Sequence, residues 1–181
     1  MKWIRSFPQT IPAGRAYVVD DLPRLLLTDY DYTPLGALDD DICLIEWDMA
    51  ISREMREDFA LYARGAGEKP LVAPYRLYEA REQPVYAHRL LSASGEESWV
   101  ANERDCYADY IGLGLVYLPR TLIRGFLAAP APARGRSPFL PSEAGYNDLR
   151  FTDQTLSIWL RHTQGRRTRI AWDVRPIHLH Y

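Results

Sequence analysis

The sequence predicts a single α/β domain over residues 1–181, a mixed sheet with flanking helices. Three observations carry that expectation. Strand-like and helix-like segments alternate along most of the chain, a pattern that lays helices on a sheet. Ile42–Ile45 is an unbroken apolar run, as in a strand buried on both faces. The stretch from Pro70 to Leu91 reads as extended pieces around a turn, which adds an insertion of two or three strands to the middle. The length suits one domain with a core that needs no disulfide or metal to hold it.

Taken in order, AYVVD (16–20) is β-branched and ends in acid, so it reads as a first strand. Next, Pro23 can begin a short helix, or Leu25–Leu27 can form a second strand; periodicity does not separate the two. Ile42–Trp47 is the strongest strand signal. Ser52 offers an N-cap, Met55, Phe59 and Tyr62 recur at helical spacing, and Gly65 and Gly67 close the pattern. EESWVANERDCYADY suggests a short strand or turn and a short helix. GLGLVYLP (112–119) is strand-like and RTLIRGFLA helical. A Pro/Ala-rich loop spans 128–147, long enough to act as a lid. Thr152 can cap the helix DQTLSIWLRHT, with Leu156, Trp159 and Leu160 on its buried side. TRIAWDVRP and IHLHY are final strand-like pieces.

A net charge of −2 carries no polybasic signature, so direct nucleic-acid binding is not expected. The basic cluster RHTQGRRTR (161–169) reads as a solvated helix end, turn and strand start. Cys43 lies in the apolar run and Cys106 elsewhere, without CxxC or zinc spacing. No apolar stretch approaches the ~20 residues of a membrane span, and the N-terminus lacks a signal-peptide run. A cytoplasmic protein without membrane partners is the expectation.

The candidate chemistry begins where the apolar strand ends. Side chains two apart on a strand share a face, so Glu46 and Asp48 point together if the strand persists to Asp48. Two carboxylates there can hold Mg²⁺ or Mn²⁺. Alternatively, Glu46 starts a loop and Asp48 caps the next turn. His178 and His180 share a face by the same spacing and could complete a metal site, or lie on a surface edge strand. Asp153 sits in the first turn of a helix, where an acid suits the dipole and could also act as a general base. Asp20 could approach a ribose or base. Trp47, Tyr75, Tyr78 and Trp99 offer stacking surfaces or belong to the core. Gly112 and Gly114 permit close packing or a tight approach to ligand. GxGxxG, P-loop, HExxH and GxSxG motifs are missing from the sequence.

The order of four segments is more informative than any one. ICLIEWD precedes a helix; GLGLVYLPRTLI is a glycine-led strand running into a helix; FTDQTLSIWL places an acid at a helix start; HLHY lies at the end. Over residues 40 to 181 this set resembles GT-A-type nucleotide-sugar glycosyltransferases, whose fold is Rossmann-like, and especially the small versions of actinobacterial phages and their relatives. The resemblance implies a transferase that moves a sugar from a nucleoside diphosphate donor to a hydroxyl on a protein, glycan or modified base. It gives Mn²⁺ or Mg²⁺ to Asp48, Glu46 and one of His178 and His180, with His178 the better match. It makes Asp153 the acceptor base, sets Gly112 and Gly114 beside donor and acceptor, and brings Asp20 near the base-recognition position. Glu46 departs from the usual leading Asp, and about forty residues precede the motif, a short nucleotide-binding part. A non-catalytic module on the same fold and a metal-dependent phosphohydrolase are the competing expectations. A virus-encoded chain would work in the host cytoplasm.

Overall fold

The computed structural model describes residues 1–28, 31–78, 85–130 and 151–179. The chain runs from β1 (Lys2–Pro8) and β2 (Arg24–Leu27) through a 3-10 turn (Thr33–Ala37) to β3 (Ile42–Glu46), β4 (Met49–Ala50) and helix α1 (Arg53–Ala66). Then come β5 (Leu71–Val72), β6 (Arg76–Tyr78), β7 (Val85–Tyr86), β8 (Arg89–Leu91), β9 (Glu97–Trp99) and β10 (Tyr107–Ala108). β11 (Leu115–Leu118) leads into α2 (Arg120–Ala128). The last described stretch holds α3 (Asp153–Ile158), a π-helical turn (Trp159–Thr163), β12 (Thr168–Ile170) and β13 (Ile177–His178).

Among the described residues, seven strands form one mixed sheet in the order β10-β12-β5-β11-β3-β1-β2. β2, β1 and β3 run parallel. β11 is antiparallel to both β3 and β5, β12 is parallel to β5, and β10 closes the edge antiparallel to β12. This is the mixed, Rossmann-like α/β sheet that the sequence predicts. From β1 the chain steps outward to β2, then crosses back to set β3 on the other side of β1. Strand order therefore reverses between β1 and β3. The crevice beyond the carboxyl ends of such strands is where open α/β sheets bind ligands, and Pro8 and Glu46 mark those ends.

The pleat of β3 divides the core into two layers. Ile42 and Leu44 pack with Leu122, Phe126 and Leu156 of α2 and α3. Cys43 and Ile45 pack on the other face with Phe59 and Ala63 of α1. All four β3 residues are fully buried, and each large aliphatic contributes about 1.5–3 kcal/mol. The expected N-cap of α1 is present: Ser52 Oγ accepts from Met55 N–H at 3.1 Å, worth about 1 kcal/mol. The helix runs through Gly65 and stops at Gly67, whose φ of 59° suits glycine.

Two expectations change and one open choice is settled. The first strand is Lys2–Pro8 rather than AYVVD. Arg5 and Ser6 hide it from a hydrophobic pattern, yet both are buried, because tertiary partners satisfy the guanidinium. Residues 16–20 form no strand; Val18 N–H donates to Trp47 O at 2.9 Å, and Val19 is exposed. EESWVANERDCYADY holds β9 and β10 but no helix. Asp105 accepts from the backbone of Ala101 and Asn102 and closes a turn instead. Leu25–Leu27 belong to a strand, which settles the choice at Pro23. Most of the Pro/Ala-rich 128–147 loop lies outside the described residues.

Candidate active site

The end of β3 is not the straight strand that the acid-x-acid spacing assumes. β3 stops at Glu46, and Trp47–Asp48 form a turn into β4. The two carboxylates thus take different surroundings. Glu46 pairs in register with Ser6 and lies on the α2–α3 side of the pleat. There its Oε1 accepts the Tyr32 hydroxyl at 2.7 Å. Asp48 is buried and its Oδ2 lies 3.0 Å from His178 Nε2. Backbone pairing sets that distance: β13 runs antiparallel to β4 with His178 opposite Met49, and Leu179 N–H donates to Asp48 O.

Asp153 arrives from a third direction. Thr152 Oγ1 accepts from Thr155 N–H, while Thr155 Oγ1 accepts from Thr152 N–H, a reciprocal cap that starts α3. Tyr32 joins this corner to Glu46, because its N–H donates to Phe151 O and its ring meets Phe151 edge-on. Burial pushes the Glu46 carboxyl up to about 7. The Tyr32 hydrogen bond and His178 work against that rise, and the charges of Asp48 and Asp153 work with it. Burial also pushes the Asp153 carboxyl up to about 6. The hydroxyl of Tyr75 is held well above the usual range by burial and then by Glu46, Asp153 and Asp48. Five segments distant in sequence, at Tyr32, Glu46–Asp48, Tyr75, Asp153 and His178, therefore share one electrostatic cluster.

Tyr75 stands between two clefts. One, of about 230 Å³, is lined by His178, Arg76, Arg175, Tyr86 and Pro74. The other, of about 180 Å³, is lined by Asp153, Arg89, Trp99, Tyr110 and Gln154. Gly112 and Gly114 make room for this wall. A Cβ on Gly112 would lie 2.4 Å from Tyr75 Oη, and one on Gly114 would lie 2.5 Å from its ring. They serve close packing. Behind Tyr75, His88 is fully buried. Its Nδ1 accepts from Gly112 N–H and its Nε2 donates to Ala73 O. Burial holds it neutral, with a pKa of about 4.

Two predicted ligand contacts have structural work instead. Asp20 accepts two hydrogen bonds from the buried Arg5, at 2.6 and 3.0 Å. Burial pushes its carboxyl up, but Arg5 more than offsets that and leaves it below the usual range. Arg5 also donates to the carbonyls of Glu46 and Met49, so it ties the loop after β1 to the Trp47–Asp48 turn. Trp47 is buried, with 5 % of its surface exposed, and has no open face for stacking. Sequence reasoning missed Arg5, Tyr32, His88 and Arg89. Only Tyr32, in a run of Asp and Tyr, had any local signal.

The residues fit a divalent ion in part. Two ligands at right angles on an octahedral Mg²⁺, each about 2.1 Å from it, lie about 3 Å apart. The Asp48–His178 spacing matches that. Glu46, turned to Tyr32, does not join them, and among the described residues no three His, Cys, Asp or Glu side chains gather to hold a metal. His180 lies outside the described residues. Mg²⁺ is commonly held by one or two protein groups together with substrate phosphates, so the pair suffices only with a phosphate ligand.

No protein-family model matches the chain, and no curated protein does. Among solved structures it is similar to the crystal structure of A197 from STIV, with a TM-score of 0.54 and 14 % identity, covering 98 % of this chain and 85 % of that one. The likeness shows the fold alone. Among the described residues, no helix is long and apolar enough to cross a membrane.

Proposed function

We propose that this protein is a metal-dependent glycosyltransferase that moves a sugar from a nucleoside diphosphate to a hydroxyl acceptor. The observation that carries the reading is the meeting of Glu46, Asp48, Asp153 and His178 in one cluster beside the strand-order reversal. Asp48 and His178 would hold Mn²⁺ or Mg²⁺, which when bound offsets the charge on the departing diphosphate. Arg76, which lines the cleft beside His178, adds cationic surface for phosphate oxygens, and Arg175 at the same cleft pairs with Glu103. On the other side of Tyr75, Asp153 would take the proton of the acceptor hydroxyl as its oxygen bonds the anomeric carbon and the bond to diphosphate breaks. A carboxyl raised to about 6 is a stronger base than a solvated one and still ionised at pH 7. Glu46, hydrogen-bonded by Tyr32, would set the field between the two groups rather than ligate.

One observation favours a second reading. Asp48–His178 and Glu46–Tyr32 are direct hydrogen-bonded pairs, as expected of a binding module that keeps the fold without the chemistry. Melting the protein with UDP, GDP, ADP, CDP or dTDP, with and without Mn²⁺, separates the two. A ligand of the folded state raises the midpoint by mass action. The transferase reading expects a shift that needs both a nucleotide and Mn²⁺, lost in Asp48→Ala while unfolding stays cooperative. A well-folded protein with no shift for any pair favours the module.

A further inference from the structure

The smaller cleft contains a feature that the proposed reaction does not require. Trp99, in the β8–β9 hairpin, is 41 % exposed although it lines a cleft. The ring packs against a cation. Trp99 lies opposite Arg89 in the hairpin register, and the Arg89 guanidinium sits 4.5 Å from the indole centroid. That guanidinium donates to Glu97 at 3.1 Å, while Arg89 N–H bonds Tyr110 O at 2.9 Å. The hairpin closes on Gly95, at φ 85°, with Ser92 Oγ accepting from Glu96 N–H. An arginine-backed indole thus forms one wall, and Asp153 and Gln154 lie in the same cleft.

We infer that this cleft is an acceptor subsite for one sugar ring of a glycan, stacked on Trp99 so that a hydroxyl reaches Asp153; the inference rests on the transferase reading. A pyranose has an apolar C–H face for an indole and a rim of hydroxyls for Asp153 and Gln154. The cleft, at about 180 Å³, falls below the roughly 300–1,000 Å³ of sites for drug-sized ligands. It accepts a single ring rather than a nucleotide. A peptide acceptor would need an extended groove. A nucleobase within a strand would bring phosphates, and the one cation among the lining residues named here, Arg89, already engages Glu97 and Trp99.

The test is isothermal titration calorimetry with methyl glycosides of glucose, galactose, mannose and N-acetylglucosamine. Serine and threonine peptides and 5-hydroxymethyl pyrimidine nucleosides run beside them, each probe alone and with the nucleoside diphosphates plus Mn²⁺. The expected result is saturable binding of at least one glycoside, weakened tenfold or more in Trp99→Ala, largely kept in Trp99→Phe, with the nucleotide-dependent melting shift unchanged in both. A nucleotide shift without glycoside binding, glycoside binding indifferent to Trp99, or preference for peptide or nucleoside overturns the acceptor assignment and leaves the transferase reading standing. Trp99-dependent glycoside binding without any nucleotide shift overturns the transferase reading and leaves a carbohydrate-binding cleft. Neither response overturns both.

Discussion

The two clefts either side of Tyr75 share walls from the same insertion, yet their chemistry differs. The His178 cleft is lined by Arg76 and by Arg175, which also pairs with Glu103. The Asp153 cleft contains a carboxylate with a raised pKa, an exposed indole and one arginine that is already paired. Their partition depends on one ring wedged over two glycines. A cationic pocket beside a potential metal pair and an acidic pocket beside a stacking surface suit the two halves of a group transfer.

The strongest way to break the comparison is to silence one side. Asp153→Asn keeps the shape of its cleft and removes the base. Steady-state kinetics should show kcat down by roughly 10²–10⁴, the nucleotide-dependent melting shift intact, and the acidic limb near pH 6 gone from the rate profile. Unchanged kcat would remove Asp153 from the chemistry. Next in size is the wall. Gly114→Ala sets a methyl 2.5–2.9 Å from three atoms of the Tyr75 ring. Denaturant unfolding should show a loss of about 1–3 kcal/mol, as for other overpacked cores, together with weaker ligand binding on both sides.

The smallest effect sharpens the comparison through pH. His88 has a depressed folded pKa, about 4 against an ordinary 6.5. Its contribution is present above pH 6.5 and fades as pH falls toward 4, since the unfolded chain takes up the proton first. Between pH 7 and 5.5 this costs about 1 kcal/mol. Asp153 acts in the other direction: with a folded pKa of about 6 against 3.8, its contribution is full below pH 3.8 and is lost as pH rises through 6. Stability measured against pH should therefore flatten on the acid side in His88→Gln and decline less steeply toward neutrality in Asp153→Asn, where Glu46, raised to about 7, still titrates. Parallel curves for wild type and His88→Gln would mean that His88 titrates normally.

Much of the fold was legible locally, where a residue's neighbours in sequence are also its neighbours in space. The Ile42–Ile45 run, the Ser52 and Thr152 caps and the buried face of Leu156, Trp159 and Leu160 all came through, because apolar periodicity and capping hydroxyls act within a turn or a strand. β1 did not, since Arg5 makes Lys2–Pro8 look exposed until Asp20 and two distant carbonyls surround its guanidinium. The choice of Asp48, Asp153 and His178 could be made from residue type and order, but their meeting could not. Asp48 and His178 are 130 residues apart, and only the β4–β13 pairing brings them to 3.0 Å.

By itself the sequence determined the alternation of elements, the two-faced burial of β3 and the residue types available for chemistry, because these follow from side-chain pattern. Tertiary structure alone decided that Glu46 and Asp48 part company at the turn, that Asp20 serves Arg5, and that Tyr75 divides the site in two. Each depends on burial and on partners supplied by distant strands, and a carboxylate's role is set by what surrounds its charge rather than by its place in the chain.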